Sequence, residues 1–301
     1  MTPAGRIADP IDIGKIAKPQ SIRLPDAAAV FKRRAERFAG LADGSPLADF
    51  LSFMAAIARA QSIALETLVD VPSKTCPRQG MPPLDRMTWR PDPSWQRVLA
   101  LILDRLNTGA LTAQTHSALE RLDRRDAGAL DALAEKVVRF ETGEAEPAEA
   151  CLAFAALQVY WTRMAGLVQS EDFAAKDRVG ACPVCGSPPV ASLVHSAGAL
   201  AGSRFLVCAL CATEWHLVRI KCANCASTKG IAYLEIEGTG GLVKAETCDE
   251  CQTYTKIIYT EKAPDAEVFA DDLASLGLDL LVDEAGWRRA TPNPFLLPGA
   301  G

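Results

Sequence analysis

Aromatic residues make up only 6% of the 301-residue sequence, and histidine occurs three times, as His116, His195 and His216. A core with so few rings has to rely on Leu and Ala, which points to packed helices. The chain also lacks a strong excess of either charge, since 32 Lys and Arg against 37 Asp and Glu leave a net charge of -5. That balance gives no general drive toward polyanions and excludes nucleic acid as a partner unless a local basic patch supplies the attraction. Long apolar runs are missing too. The stretch Ala150 to Thr162 stops at Arg163, short of the ~20 residues a membrane span needs, and reads as a buried core helix. Met1 to Gly14 has no apolar signal-peptide core, so the expected location is the cytoplasm, without membrane insertion.

What is present is 49% apolar residues, enough for a sizeable core, on a length that predicts about two domains at roughly 150 residues each. Residues 1–25 read as an extended arm over the surface. Helical signals then dominate. Asp26 is placed to cap a helix that puts Val30, Phe31, Phe38 and Leu41 on one broad face, and Ser45 with Pro46 reads as an N-cap and first position of a helix running to about Val69. Prolines 72, 77, 82, 83, 91 and 93 predict a long crossing or loop over 71–93. Asp92 and Pro93 open a helix carrying Trp95, Val98, Leu99, Ile102 and Leu106, with further helices near 112–122, 126–141 and 148–169. From about Ala181, small residues and paired cysteines replace this pattern. Pro264 and Asp265 then introduce a last helix with Phe269, Leu273, Leu276 and Leu280 on one stripe. The tail with Phe295, Leu296 and Leu297 is apolar enough to dock. The expected fold class is α+β: a helical domain with its arm over 1–178, a double metal ribbon over 179–260, and a C-terminal helix with tail over 261–301.

Ten cysteines without an export signal point to metal binding or thiol chemistry before structural disulfides. Eight of them form four C-x-x-C pairs, Cys182/Cys185, Cys208/Cys211, Cys222/Cys225 and Cys248/Cys251, separated by 22, 10 and 22 residues. Each pair in the second half follows its counterpart by 40 residues, and Thr213, Leu217 and Val218 match Thr253, Ile257 and Ile258 at the same offset. This is a tandem repeat. Each copy reads as knuckle, strand, turn, strand, knuckle, with strands at 190–194 and 204–207 in the first and 231–236 and 242–245 in the second. Two cysteines two residues apart place sulfurs at two corners of a tetrahedron, and a hairpin brings up the other two, a set that selects Zn(II) or iron. A unit of about 40 residues scarcely holds itself together without such a staple, and a structural metal supplies on the order of 10 to 16 kcal/mol. A thioredoxin-like redox pair would instead open a helix in a βαβ unit. Ligation swapped between the two middle pairs stays open, although the 40-residue symmetry argues against it. Knuckles of this kind favour glycine after the second cysteine, yet only Cys185 is followed by one; Ala212, Ala226 and Gln252 hold the other three positions. Those three turns are expected to be strained or built differently.

Between 182 and 256, Arg204, Arg219, Lys221, Lys229, Lys244 and Lys256 are balanced by Glu214, Glu235, Glu237, Glu246, Asp249 and Glu250, so that two tetrathiolate sites with divalent ions make the region about -4. A nucleic-acid-binding ribbon would carry the opposite sign. Cys76 and Cys151 stand alone, and His195 and His216 are replacement ligands only if a cysteine fails. Glu214, Trp215 and His216, beside Cys211, are a candidate partner-contact surface or simply strand residues.

The string Cys208-Ala-Leu-Cys-Ala-Thr-Glu-Trp-His-Leu-Val-Arg-Ile-Lys-Cys-Ala-Asn-Cys225, with Cys182-Pro-Val-Cys-Gly-Ser187, Ala245-Glu-Thr-Cys-Asp-Glu-Cys-Gln-Thr-Tyr254, Asp271-Asp-Leu-Ala-Ser-Leu276 and Asn293-Pro-Phe-Leu-Leu-Pro-Gly299, resembles the FdhE family of formate dehydrogenase accessory proteins. Pro82-Pro-Leu-Asp85 and Trp95-Gln96 are similar in the helical half. The resemblance implies a cytoplasmic maturation factor, not an enzyme, that binds the catalytic subunit of a respiratory formate dehydrogenase before its twin-arginine (Tat) export. It implies a rubredoxin-like iron site, its knuckle cysteines falling on the eight named here, so that iron is favoured as the metal and zinc remains an option; a homodimer is left open. From the residues alone, the alternatives are an iron-thiolate electron-transfer protein and a zinc-ribbon nucleic-acid binder, the latter opposed by the acidic balance.

Overall fold

The computed structural model describes residues 21–68, 71, 81–107, 111–141, 147–169 and 179–296. The expected arm ahead of Ser21, the segment with Cys76, and Leu297 lie outside them. A helix that is apolar all round has to be surrounded, and Pro147–Ala165 (α6) is: Cys151 through Thr162 is buried without interruption. Around it pack Ala48–Thr67 (α2), Pro93–Leu106 (α3), Ala113–Asp123 (α4) and Ala127–Arg139 (α5), while Ala27–Ala42 (α1) lies along α2. Local chemistry sets several of the starts. Asp92 accepts the Ser94 N–H ahead of Pro93, Thr112 accepts that of Thr115, and Asp126 that of Ala129. α2 begins at Ala48, not at Pro46: the Ser45 hydroxyl accepts the Leu47 N–H and the Ser45 carbonyl the Ala48 N–H, both at 3.1 Å, a tight turn that leads into the helix. Asp26 occupies the cap position of α1 without a side-chain capping bond. Among the described residues α2 is the helix long and apolar enough to cross a membrane; here it packs against α1, α3 and α6.

The second half forms one sheet, joined at its edge by a short strand from the start of the described chain. Its strands are Ile22–Arg23 (β1), Pro189–Val194 (β2), Arg204–Cys208 (β3), Glu214–His216 (β4), Ile231–Leu234 (β5), Val243–Cys248 (β6), Thr253–Tyr259 (β7) and Arg288–Arg289 (β8). Their order is β1-β4-β3-β2-β7-β6-β5, with β8 beside β7. The two expected hairpins are present as β2–β3 and β5–β6. Each copy adds a third strand after its last knuckle, β4 in the first and β7 in the second. The copies then fuse through a parallel seam in which Ser192, Leu193 and Val194 face Ile257, Ile258 and Tyr259.

The seam carries a buried charge pair. Arg204, 1% exposed, reaches Ser192 on its own copy, Glu246 Oε1 on the other at 2.8 Å, and the Lys221 carbonyl at 3.1 Å. Burial raises the Glu246 carboxyl despite the neighbouring Arg204.

The last helix is two helices, not the continuous stripe expected. Val268–Ala274 (α7) buries Phe269 and Leu273, but the chain turns at Ser275, and Leu276–Glu284 (α8) buries Leu278 and Val282 while leaving Leu280 67% exposed. The break has a polar cause. The Ser275 hydroxyl donates to the Asp271 carbonyl at 2.7 Å, and the buried Lys256 ammonium donates to the carbonyls of Asp272 and Ser275 at 2.9 and 3.0 Å. Carbonyls that would continue the helix are therefore bonded elsewhere. Of the expected docking tail, Phe295 is 2% exposed and meets Phe154 and Phe269 edge-on. Leu296 packs against the same core.

Candidate metal centres

Each knuckle is a tight turn that satisfies its own backbone. Cys182 N–H donates to the Ser187 carbonyl and Gly186 N–H to that of Cys182, and the Cys222–Ser227 turn repeats both bonds. Amides also point at sulfur: Val184 N–H lies 3.4 Å from Cys182 Sγ, Leu210 N–H 3.4 Å from Cys208 Sγ and Asn224 N–H 3.3 Å from Cys222 Sγ. The residue after the second cysteine is left-handed in all four turns, at φ 75° for Gly186, 57° for Ala212, 64° for Ala226 and 52° for Gln252. The knuckles without glycine are thus built like the one that has it, with the strain of a side chain at positive φ retained.

The structure gathers Cys182, Cys185, Cys208 and Cys211 into one group and Cys222, Cys225, Cys248 and Cys251 into another, with the sulfurs of each within 4.8 Å of one another. The swapped grouping of the middle pairs does not form. Across each hairpin the separations are 3.7 Å for Cys182–Cys211, 3.4 Å for Cys185–Cys208, 3.8 Å for Cys222–Cys251 and 3.7 Å for Cys225–Cys248. Sulfurs set tetrahedrally about an ion at ~2.3 Å are ~3.8 Å apart, so both donor sets fit a zinc or iron ion. Repeat symmetry extends to a hydroxyl: Thr213 and Thr253 Oγ1 each lie 3.1 Å from the sulfur two residues earlier.

The electrostatics of the first group call for a cation. Burial pushes the Cys182 and Cys208 thiols well up. Burial opposes ionisation of Cys185 too, but the neighbouring thiols bond to its sulfur and hold it well below the usual value. Thiolates packed this closely away from solvent repel one another, and a bound cation offsets that repulsion. In the second group burial pushes Cys222 to about 12. Cys251 falls to about 7, because Thr253 and the other thiols outweigh its desolvation.

The two centres differ in their surroundings. All four cysteines of the first are buried within the main core, whereas in the second Cys225 is exposed and Cys251 half-buried. The helical half grips the first centre at both knuckles. Leu84 and Arg86 donate their N–H groups to the carbonyls of Val184 and Cys185 at 2.9 and 3.1 Å. Arg86 Nε reaches the Gly186 carbonyl at 3.2 Å, and on the other knuckle Gln158 Nε2 donates to the Ala209 carbonyl at 2.8 Å. Gln158 also accepts from Arg34 and Gln61, so one buried amide links α1, α2 and α6 to the centre. At the second centre, by contrast, Asn224, Asp249 and Glu250 face solvent. The signal for this asymmetry is in the residues between the cysteines: Pro183-Val184 and Ala209-Leu210 in the first copy, Ala223-Asn224 and Asp249-Glu250 in the second.

Of the other candidates, Trp215 is buried, and Glu214 lies between Arg23 at 2.6 Å and His195 at 2.9 Å, on the wall of a cleft of about 690 Å³ between the sheet and α1. His216 meets Phe205 edge-on. Neither histidine belongs to a sulfur group. Cys151 sits in α6 with its thiol pushed up to about 12 by burial.

Family models described as FdhE N-terminal, central and C-terminal domains match residues 19–176, 181–219 and 220–296. The chain belongs to the FdhE family, the formate dehydrogenase accessory proteins. The boundary between the FdhE central and C-terminal models falls between the two cysteine groups. Protein FdhE homolog of Edwardsiella ictaluri is 41% identical over 285 residues, covering 92% of this chain and 91% of that protein. Protein FdhE of Escherichia coli strain K12 / DH10B is 38% identical over 281 residues, covering 90% and 89%. The crystal structure of the FdhE protein from Pseudomonas aeruginosa superposes with a TM-score of 0.82 at 33% identity, covering 93% of this chain and all of that one.

Proposed function

We propose that this FdhE-family chain is a cytoplasmic maturation factor that binds the catalytic subunit of a respiratory formate dehydrogenase before its Tat export, and that the eight cysteines hold two metal ions, iron in preference to zinc. The supporting observation is the pair of tetrathiolate groups, each with the spacing of a metal tetrahedron, on a fold shared with an FdhE protein across nearly its whole length. In this reading the ions staple the knuckles and supply no turnover. The chain offers a surface for a client, with Glu214 and His216 retained as candidate contacts where their strand borders the cleft; Trp215, the third residue expected there, is buried in the core instead.

The test is capture from a lysate that expresses formate dehydrogenase, using tagged protein purified without oxygen and with its metal content measured. Recovery of the catalytic subunit in its pre-export form supports the proposal. Failure to recover it from protein carrying both ions sinks it. Iron in both sites, seen as thiolate-to-iron absorption, would distinguish the preferred metal from colourless zinc.

A further inference from the structure

We infer that the two centres are divided in kinetics: the Cys182/Cys185/Cys208/Cys211 centre is a locked rivet between helices and sheet, and the Cys222/Cys225/Cys248/Cys251 centre is the exchange site, where an ion enters and leaves with the rest of the fold intact. This rests on the reading that both groups bind metal.

An ion leaves a tetrathiolate cage when an outside ligand reaches a sulfur or the ion and displaces the thiolates one at a time. Access therefore sets the rate. At the first centre every sulfur is buried, the fillers Val184 and Leu210 are 0% exposed, and both knuckles are hydrogen-bonded to the helical half through Leu84, Arg86 and Gln158. Exposing a sulfur there requires breaking those bonds together with the core contacts of the four cysteines. At the second centre Cys225 already faces solvent, its neighbour Asn224 is exposed, and the opposite knuckle carries the exposed acids Asp249 and Glu250. Those carboxylates add negative charge at the mouth where a cation arrives.

The packing beneath the second centre also lets it stand alone. Its sheet face rests on a separate small cluster, Ala245, Tyr254, Leu278 and Val282, apart from the main core. The strands next to it are held through the seam by Arg204 and Glu246 and from below by the Lys256, Asp272, Asp279 and Arg289 network. None of those groups is a cysteine, so the sheet keeps its fastening when the ion is gone. The ion of the first centre, in contrast, is part of what holds residues 82–88 to the sheet.

Zinc provides the probe. The full chain is loaded with two zinc ions, challenged with excess chelator, and followed by metal release and by hydrogen exchange at the amides of Leu84 and Arg86. One ion is expected to leave quickly and the other on the order of 100-fold more slowly, the factor that follows from opening the bonds from Leu84, Arg86 and Gln158 at ordinary hydrogen-bond strength. The Leu84 and Arg86 amides stay protected through the first loss and open with the second. Cys225→Ser removes the fast ion and leaves the slow one, and Arg86→Ala speeds the slow phase without changing the fast one. Release of both ions in a single phase, opening of the Leu84 and Arg86 amides with the first ion, or loss of the slow ion in Cys225→Ser would each overturn the division while leaving metal binding intact. A chain that takes up no zinc overturns the metal reading itself.

Discussion

Replacing Gln158 by leucine removes one amide and breaks three buried contacts. The Ala209 carbonyl loses its donor at 2.8 Å, Arg34 Nη1 its acceptor at 3.0 Å, and Gln61 Nε2 one of two acceptors at 3.2 Å. Gln61 keeps the Ala155 carbonyl at 2.9 Å, and Arg34 keeps Glu267 and its seat 3.9 Å over the Phe269 ring. The uncompensated losses are thus a buried carbonyl, at about 1–3 kcal/mol, and part of a buried charge, at about 1.5–3 kcal/mol. Leucine matches glutamine in size closely enough that cavity terms are minor, and it recovers none of the polar loss. The expected destabilisation is ~3–5 kcal/mol, a large share of the ~5–15 kcal/mol that holds an ordinary domain. Urea unfolding should show a lower midpoint with an unchanged slope. A variant within about 1 kcal/mol of the parent would refute the assignment of Gln158 as the link between the helices and the first centre.

Three further outcomes are expected. Gly180→Ala places a Cβ 2.9 Å from the Ala223 carbonyl at φ +80°, and should cost ~2 kcal/mol or more and loosen the second centre, read as faster zinc release from that site. Gln252→Gly relieves a left-handed residue at a cost of about 1–2 kcal/mol and gives back about 0.4–1 kcal/mol in chain entropy; the urea midpoint should rise slightly, and a clear fall would contradict the strain argument. Asp272 governs an acid limb: burial favours its neutral form, but Arg289 and Lys256 outweigh that and hold the carboxyl below its ordinary range. Its stabilisation is therefore complete above the unfolded value of ~3.9 and lost as pH falls through the folded one. Asp272→Asn should flatten that limb in urea titrations at different pH, and cost ~3 kcal/mol at neutral pH, the low end for breaking a buried pair, because Asp279 alone then serves both Lys256 and Arg289.

The repeat was legible because it is written twice at one spacing, and sulfur chemistry leaves few arrangements for C-x-x-C pairs on a hairpin. The helix start at Asp92 was legible for a similarly local reason, a cap and a proline side by side, whereas the caps Thr112 and Asp126 emerge only from the structure. What escaped is carried by contacts between distant segments. The seam joins strands whose own patterns do not reveal a parallel neighbour. The hold of Leu84 and Arg86 on the first knuckle is made by backbone groups, which every residue possesses. The stripe Phe269, Leu273, Leu276, Leu280 predicted one helix because periodicity is blind to Lys256, whose ammonium takes carbonyls at the break. The left-handed turn at Ala212, Ala226 and Gln252 shows the opposite case, in which the fold imposes a geometry that the local residue disfavours.

The parallel joint between β2 and β7 governs the order of assembly. Hairpin β2–β3 can close while the chain is still emerging from the ribosome, but the far side of β2 stays bare until synthesis has passed Tyr259. During that interval its unpaired amides and carbonyls are open to any passing strand. A nascent chain stalled between the two cysteine groups would carry this sticky margin, and the completed protein closes it only by a slow, long-range docking step.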